Sequence, residues 1–67
     1  MESVANTVYK LRTARSMTQE ELAAKVGVSR QTVIAIEKGN YTPSVLLALK
    51  IARSFKVSVE DIFSIRS

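Results

Sequence analysis

Apolar side chains recur along the chain at the spacing of short amphipathic helices, with polar residues between them. The interval from Val8 to Leu11 predicts a first helix over about residues 6–16. Two further groups of apolar residues repeat every three or four positions, which places each group on one face of a helix. The inward-facing residues of these second and third helices are Leu22, Ala23, Val26, Val33 and Ile36.

Polar residues mark where the second and third helices begin and end. Thr18 and Glu21 are spaced as a capping box, in which each side chain accepts a hydrogen bond from the other residue's backbone amide. Gly27 can adopt the left-handed conformation that ends a helix at little cost, and Ser29 can cap the helix that follows. Residues 18–38 are therefore predicted to form two short helices joined by a tight turn.

The C-terminal half of the chain is strongly apolar. Ser44 is predicted to cap a fourth helix that runs through Phe55 and is apolar on most sides, which favours burial on more than one face. Residues 58–61 are predicted to open a fifth short helix. Near the chain ends the pattern is ambiguous, since residues 3–5 could be an extended arm or the first turn of a helix. Residues 65–67 could be a frayed end or a short strand.

Composition supports one small, mostly helical domain. The 67 residues include one proline and two glycines, so few breakers interrupt a chain rich in helix-forming residues. The longest apolar run, residues 45–49, is far too short to cross a bilayer, and the N-terminus lacks the pattern of a secretion signal. A cytoplasmic protein with no membrane partner is expected.

The residues needed for catalysis or metal binding are scarce. The chain has no cysteine and no histidine, which removes disulfides, the commonest metal ligand and the commonest general base. Glu20 and Glu21 are adjacent rather than facing each other, and a helix cap already accounts for Glu21. We therefore predict no enzyme activity, no cofactor and no metal site, and the sequence indicates no particular small-molecule ligand.

The charge balance is consistent with a polyanionic partner. Ten Lys and Arg residues against six Asp and Glu residues give a net charge of +4. An ordinary soluble surface is the alternative, because charge alone does not separate the two. Lys10, Arg15 and Lys25 are expected to be ordinary surface charges.

Five phrases stand in order along residues 8–63: MTQEELA, VSRQTV, IEKG, PSVLLALKIA and SVEDIF. A small residue, a turn glycine and two inward-facing apolar residues accompany these phrases in a fixed order and spacing: Ala23, Gly27, Val33 and Ile36. This ordered set resembles the helix-turn-helix domain of the phage Cro and repressor type, also called the xenobiotic-response-element family.

The resemblance implies an all-α, five-helix fold like that of the lambda repressor domain. Short stand-alone members such as the dimeric cytolysin repressor are especially similar, and some add a two-stranded sheet from their chain ends. On this basis residues 1–67 are one DNA-binding domain of a prokaryotic protein. Its helix-turn-helix spans about residues 18–38, and its dimerisation region about residues 45–66.

The first turn of the third helix, residues 29–32, is the predicted reading surface. Such a turn can enter the major groove and direct its side chains to the base edges. Arg30 can donate two hydrogen bonds to guanine, and Gln31 can pair with adenine. By resemblance both match leading base-reading positions, although Arg30 could bind phosphate instead. Thr32 and Ala35 are further candidates: Thr32 could simply solvate the turn, and Ala35 could meet a thymine methyl or make no contact.

Phosphate contacts are expected on both sides of the reading turn. By resemblance Gln19 matches a phosphate-binding position, and the free amides at a helix N-terminus favour an anion. Ser29, Lys38, Asn40 and Tyr41 are the other candidates. Gln19 could instead be a plain solvated helix start, and Tyr41 an aromatic at the edge of the core.

The resemblance also implies a structural ion pair. In relatives, an arginine on the first helix pairs with a glutamate near the end of the third, and Arg12 and Glu37 occupy the matching positions. Such a pair would hold the recognition helix against the first helix.

The apolar C-terminal region predicts a homodimer. The candidate interface residues are Val57, Val59, Phe63 and Ile65. The alternative is that they fill the core of the monomer.

Taken together, the sequence predicts a sequence-specific transcriptional regulator, most simply a repressor. It would bind double-stranded DNA as a homodimer, through the major grooves of a near-palindromic operator with half-sites about 34 Å apart. The alternative is an antitoxin-like or other protein-interaction module that uses the same fold, and a neighbouring toxin-like gene would distinguish the two.

Overall fold

The structure, a computed structural model that describes residues 2–66, combines four α-helices with a two-stranded antiparallel sheet and one turn of 3-10 helix. In chain order the elements are β1 (Ser3–Asn6), α1 (Val8–Ala14), α2 (Gln19–Val26), α3 (Arg30–Glu37), α4 (Val45–Phe55), the 3-10 turn (Val59–Asp61) and β2 (Phe63–Arg66). The all-α, five-helix expectation is therefore wrong in its helix count, whereas the sheet found in some relatives is present.

The fifth helix is only one 3-10 turn because the next residue, Ile62, is bonded to Thr7, between β1 and α1. Ser58 and Asp61 form a capping box, and the Ile62 amide donates to the Val59 carbonyl at 3.0 Å, an i to i+3 bond. The Ile62 carbonyl then accepts from the Thr7 amide at 3.0 Å. The chain enters β2 at the next residue.

The predicted caps of α2, α3 and α4 are confirmed. The Thr18 hydroxyl accepts from the Glu21 amide at 3.0 Å, and the Glu21 carboxylate accepts from the Thr18 amide at 2.8 Å. Gly27 ends α2 with a φ of 76°, in the left-handed region. Ser29 and Ser44 each accept a backbone hydrogen bond in the first turn of α3 and α4.

The first helix is shorter than the predicted residues 6–16. Asn6 belongs to β1, and its side-chain oxygen accepts from the Val8 amide at 3.1 Å, so α1 starts after it. At the other end the chain leaves the helix, because Ser16 has a φ of 54°. The contact of Asn6 with Val8 and the turn at Ser16 therefore make α1 shorter than predicted at both ends.

The core lies between the four helices and is closed by the residue that precedes β2. Its buried apolar members are Val8, Leu22, Ala23, Val26, Val33, Ile36, Leu47, Ile51, Ala52, Phe55 and Ile62. The inward positions predicted on α2 and α3 are all among them, so that prediction is confirmed. No helix within residues 2–66 is both long and apolar enough to span a membrane.

The sheet joins the two ends of the chain. Ser3 lies opposite Arg66 and Asn6 opposite Phe63, which resolves the ambiguity at both ends in favour of strands. Of the predicted segment 65–67, the last residue lies outside the described residues.

Candidate nucleic-acid interface

The first turn of α3 is an exposed polar surface on a buried helix. Arg30 and Gln31 are exposed, whereas Val33 and Ile36 on the opposite face are buried in the core. The Ser29 hydroxyl accepts from the Thr32 amide at 3.2 Å and lies 3.1 Å from the Thr32 hydroxyl. Ser29 and Thr32 therefore shape this turn, and Arg30 and Gln31 are its outward-reaching side chains.

Ala35 and Ile34 continue the outer face of α3 one turn beyond Gln31 and Arg30. Both are half-buried, and each follows its partner by four residues, so it lies on the same side of the helix. The surface thus changes from polar to apolar along the helix. It offers hydrogen-bonding groups at the N-terminal end and methyl groups farther along.

A concavity of about 350 Å³ separates this turn from the start of α2. Its lining residues are Arg12, Thr18, Gln19, Glu20 and Arg30. The first backbone amides of α2 have no partner within the helix, and they carry the positive end of its dipole. This edge of the molecule therefore suits an anion beside the predicted reading turn.

A buried ion pair holds the C-terminal end of α3. Arg12 Nε donates to Glu37 Oε2 at 2.6 Å and Arg12 Nη2 to Glu37 Oε1 at 3.1 Å, with the side chains only 9% and 7% exposed. The hydrogen bond that Arg12 donates to Glu37 raises the pKa of Arg12, so the guanidinium stays charged. A third group, Arg12 Nη1, donates to the Met17 carbonyl at 2.9 Å. One arginine on α1 thus fixes both α3 and the chain segment before α2.

Gln19 belongs to this network rather than to the open surface. Its side-chain nitrogen donates to Glu37 Oε1 at 3.0 Å, and the residue is half-buried. Its phosphate role was predicted from the helix N-terminus and the family position, and the contact with Glu37 was not foreseen. Gln19 also lines the concavity described above.

Asn6 makes a second connection to the end of α3 that the sequence analysis missed. Its side-chain nitrogen donates to the Ile36 carbonyl at 2.9 Å, while its oxygen caps α1 at Val8. One side chain therefore ties β1, α1 and α3 together. An asparagine just before an apolar helical repeat was the available signal, because asparagine is a preferred N-cap residue.

The loop after α3 presents three of the predicted phosphate contacts at the surface. Lys38, Asn40 and Tyr41 are all exposed. Gly39 has a φ of 79°, and the Asn40 amide donates back to the Ala35 carbonyl at 2.9 Å, so the chain turns sharply at the helix end. Tyr41 is not a core residue in this arrangement.

Arg15 is not the ordinary surface charge that the sequence predicted. Its Nη2 donates to the Phe55 carbonyl at 2.9 Å, and its guanidinium lies 5.1 Å from the centroid of the Phe55 ring. A cation at this place stabilises the negative end of the α4 dipole. Arg15 therefore joins α1 to the end of α4.

The predicted dimer residues divide into two groups. Val57, Val59 and Phe63 are half-buried and pack against the core of their own chain, as the alternative held, whereas Ile65 is 73% exposed. The larger exposed apolar surface lies on α4, within the predicted dimerisation region of residues 45–66. Its more than half-exposed members are Val45, Leu46 and Leu49.

Comparison with known proteins places the chain among DNA-binding regulators. A family model described as "Helix-turn-helix" matches residues 8–62. An uncharacterised HTH-type transcriptional regulator of Methanocaldococcus jannaschii is 59% identical over 58 residues, which cover 87% of this chain and 88% of that protein. The cryptic phage CTXphi transcriptional repressor RstR of Vibrio cholerae is 32% identical over 60 residues, which cover 90% of this chain and 54% of that protein.

A solved structure has the same fold. The restriction-modification controller protein C.AhdI from Aeromonas hydrophila superposes with a TM-score of 0.76 at 31% sequence identity. The match covers 81% of this chain and 82% of that one.

Proposed function

Because the chain belongs to the helix-turn-helix family of the phage Cro and repressor type, we propose that it represses transcription as a homodimer bound to a near-palindromic operator. One observation carries the proposal: an exposed polar turn stands at one end of a helix whose other end is fixed by a buried bidentate ion pair. The Vibrio cholerae relative is itself called a transcriptional repressor.

In the proposed complex the first turn of α3 lies in the major groove. Arg30 donates to guanine O6 and N7, and Gln31 pairs with adenine, each contact discriminating by roughly 1–3 kcal/mol against a wrong base. The Thr32 hydroxyl can contact a base edge while it remains bonded to Ser29. Ala35 supplies a methyl group that can meet thymine.

The DNA backbone is proposed to contact both sides of this turn. Gln19 and Ser29 lie on the side of α2, where unpaired backbone amides favour phosphate. Lys38, Asn40 and Tyr41 lie on the side of the loop after α3. Such contacts set register and affinity without reading sequence.

The dimer is proposed to form through α4 and Ile65. Val45, Leu46 and Leu49 are exposed, and Leu49 also lines a surface concavity of about 620 Å³ together with Val57 and Val59. An exposed apolar patch of this kind favours a protein–protein interface. In such a dimer the two recognition helices would lie about 34 Å apart, one DNA turn.

In vitro selection from a random duplex pool tests the proposal. We expect one enriched motif with twofold symmetry, protected in footprinting over two successive major grooves on one face of the duplex. A pool that yields no enriched motif would refute sequence-specific binding.

Sedimentation tests the dimer separately. The wild type is expected to sediment as a dimer at micromolar concentration, and Leu49→Arg as a monomer that still folds. Ala24→Arg, at an exposed position on α2, is the matched control and should remain dimeric. A wild-type monomer at high micromolar concentration, with and without DNA, would contradict the assignment.

A further inference from the structure

A second basic concavity lies beside the loop after α3, where the terminal sheet approaches it. Its volume is about 220 Å³, and β1, the end of β2, residues 37–39 and residues 41–42 line it. Two cations face it, Lys38 from the loop and Arg66 from β2. The hydroxyl-bearing residues Ser3, Tyr41 and Thr42 complete a lining of hydrogen-bond donors.

The charge of this concavity is positive. Glu37 is its only carboxylate, and both oxygens of that carboxylate already accept from Arg12 or Gln19. Within residues 2–66, Arg12 and Glu37 form the single ion pair with an N–O distance of 4.0 Å or less. Neither Lys38 nor Arg66 is therefore neutralised by a described carboxylate. Because the Glu37 carboxylate is already engaged, Lys38 and Arg66 favour an anionic ligand.

The position of Arg66 is fixed relative to α3. Arg66 of β2 lies opposite Ser3 of β1 in the sheet. Asn6, which is also in β1, donates to the Ile36 carbonyl at 2.9 Å. The sheet is also tied to α1, since the Thr7 amide donates to the Ile62 carbonyl. Arg66 is therefore held on a small rigid unit attached to the C-terminal end of the recognition helix.

We propose that this concavity binds a backbone phosphate of the DNA duplex, with Arg66 and Lys38 as its ligands. The inference rests on the proposed function, which already brings Lys38 and Tyr41 to the DNA backbone, and it assigns the terminal sheet a direct part in binding. A guanidinium suits the role because its fixed fork of N–H groups matches the oxygens of a phosphate. Continuity with the loop after α3 favours a phosphate of the duplex over a free anion.

The salt dependence of operator binding measures the contact. Each phosphate contact contributes about 0.9 to the slope of log K against log salt concentration. Arg66→Gln should lower the magnitude of that slope by about 0.9 for each bound protomer, whatever the sequence of the duplex. Over a fourfold rise in salt, the wild type should lose about 3.5-fold more affinity per protomer than the variant.

Two control variants isolate the effect. Lys25→Gln removes an exposed cation of α2 that lies outside both basic concavities, so its slope should change little. Arg66→Lys keeps the charge and should retain most of the slope. Thermal melting of each variant checks that the sheet is intact.

Ethylation of individual phosphates locates the contact. One phosphate in each half-site should weaken the wild type when ethylated and have no such effect on Arg66→Gln. If the wild type binds its selected operator but Arg66→Gln keeps the same slope and interference pattern, this inference is overturned and the proposed function stands. If the wild type selects no operator, the proposed function fails and the inference with it.

Discussion

The two ends of α3 differ sharply in their surroundings. At the N-terminal end Arg30 and Gln31 are exposed, and the Ser29 cap holds the backbone of the first turn. At the C-terminal end Glu37 is held by Arg12 and Gln19, and the carbonyl of the residue before it is held by Asn6. The N-terminal end of α3 is therefore largely exposed, whereas the C-terminal end makes most of the side-chain contacts that hold the helix in place.

This difference indicates how such a short helix can hold its side chains in position and still tolerate substitutions at its exposed end. Side chains that contact a ligand need support from neighbours that fix their position. Here the support is remote from the reading turn. Residues at the free end can therefore change without loss of the fold, whereas residues at the fixed end cannot.

The largest expected effect comes from breaking the fixed end. Glu37→Ala leaves the Arg12 guanidinium buried without its partner, and breaking such a pair costs about 3–5 kcal/mol. A domain of this length is stable by only ~3–10 kcal/mol, so the variant should lose a large share of its stability. Urea denaturation followed by circular dichroism measures the loss.

Two further variants make the Glu37→Ala experiment specific. Glu2→Ala removes an exposed carboxylate and should leave the midpoint nearly unchanged. Arg12→Met combined with Glu37→Leu replaces the pair by apolar side chains and should recover part of the loss, because no unpaired charge remains. An unaltered midpoint for Glu37→Ala would show that the ion pair does not hold α3.

A smaller effect is expected from the second connection to the same end. Asn6→Ala removes the hydrogen bonds to the Ile36 carbonyl and the Val8 amide, each worth about 0.5–1.5 kcal/mol. We expect the free energy of unfolding to fall by about 1–2 kcal/mol. Asn40→Ala, at an exposed position of the loop, is the control, and an equal effect of both variants would contradict the role of Asn6.

The smallest expected effect is a loss of stability in acid. It involves the start of α2 and lies outside both ends of α3. Hydrogen bonds from the Thr18 backbone amide and hydroxyl lower the pKa of Glu21, and similar bonds from Ser58 lower the pKa of Asp61. A carboxylate with a lowered pKa in the folded state stabilises the fold above its unfolded pKa, about 4.3 for Glu. That stabilisation disappears as the pH falls through the lowered folded pKa.

Melting temperatures measured at a series of pH values below about 4.3 test this. Glu21→Gln keeps the capping box but cannot titrate, so its melting temperature should fall less steeply with acid than that of the wild type. Asp61 should account for part of the remaining slope. Identical acid profiles for the two proteins would contradict the role of Glu21.

Local signals explain most of what the sequence predicted correctly. The caps at Thr18, Ser29 and Ser44 act within three residues, so they can be read from a short stretch of chain. The failures involve partners that are distant in sequence. Arg15 binds the Phe55 carbonyl forty positions away, and the fifth helix shrank to a 3-10 turn because Ile62 bonds to Thr7.

The candidate site follows the same rule. The family resemblance named Arg12 and Glu37, and the structure brings their side chains together. The residues of the proposed interface were harder to predict. The sequence of a helix that is apolar all round does not show which of its faces is covered by the core of the protein. Only the packing of α4 separates buried Leu47 and Ile51 from exposed Val45, Leu46 and Leu49.

The central claim is that the exposed end of α3 reads DNA sequence, and selection of duplexes by Gln31→Ala alongside the wild type tests it most directly. The variant should keep the stability of the wild type, since Gln31 is exposed. The account predicts that both proteins enrich the same motif, with the preference at one base pair in each half-site relaxed for Gln31→Ala. Two identical motifs, or no motif from the wild type, would contradict the claim.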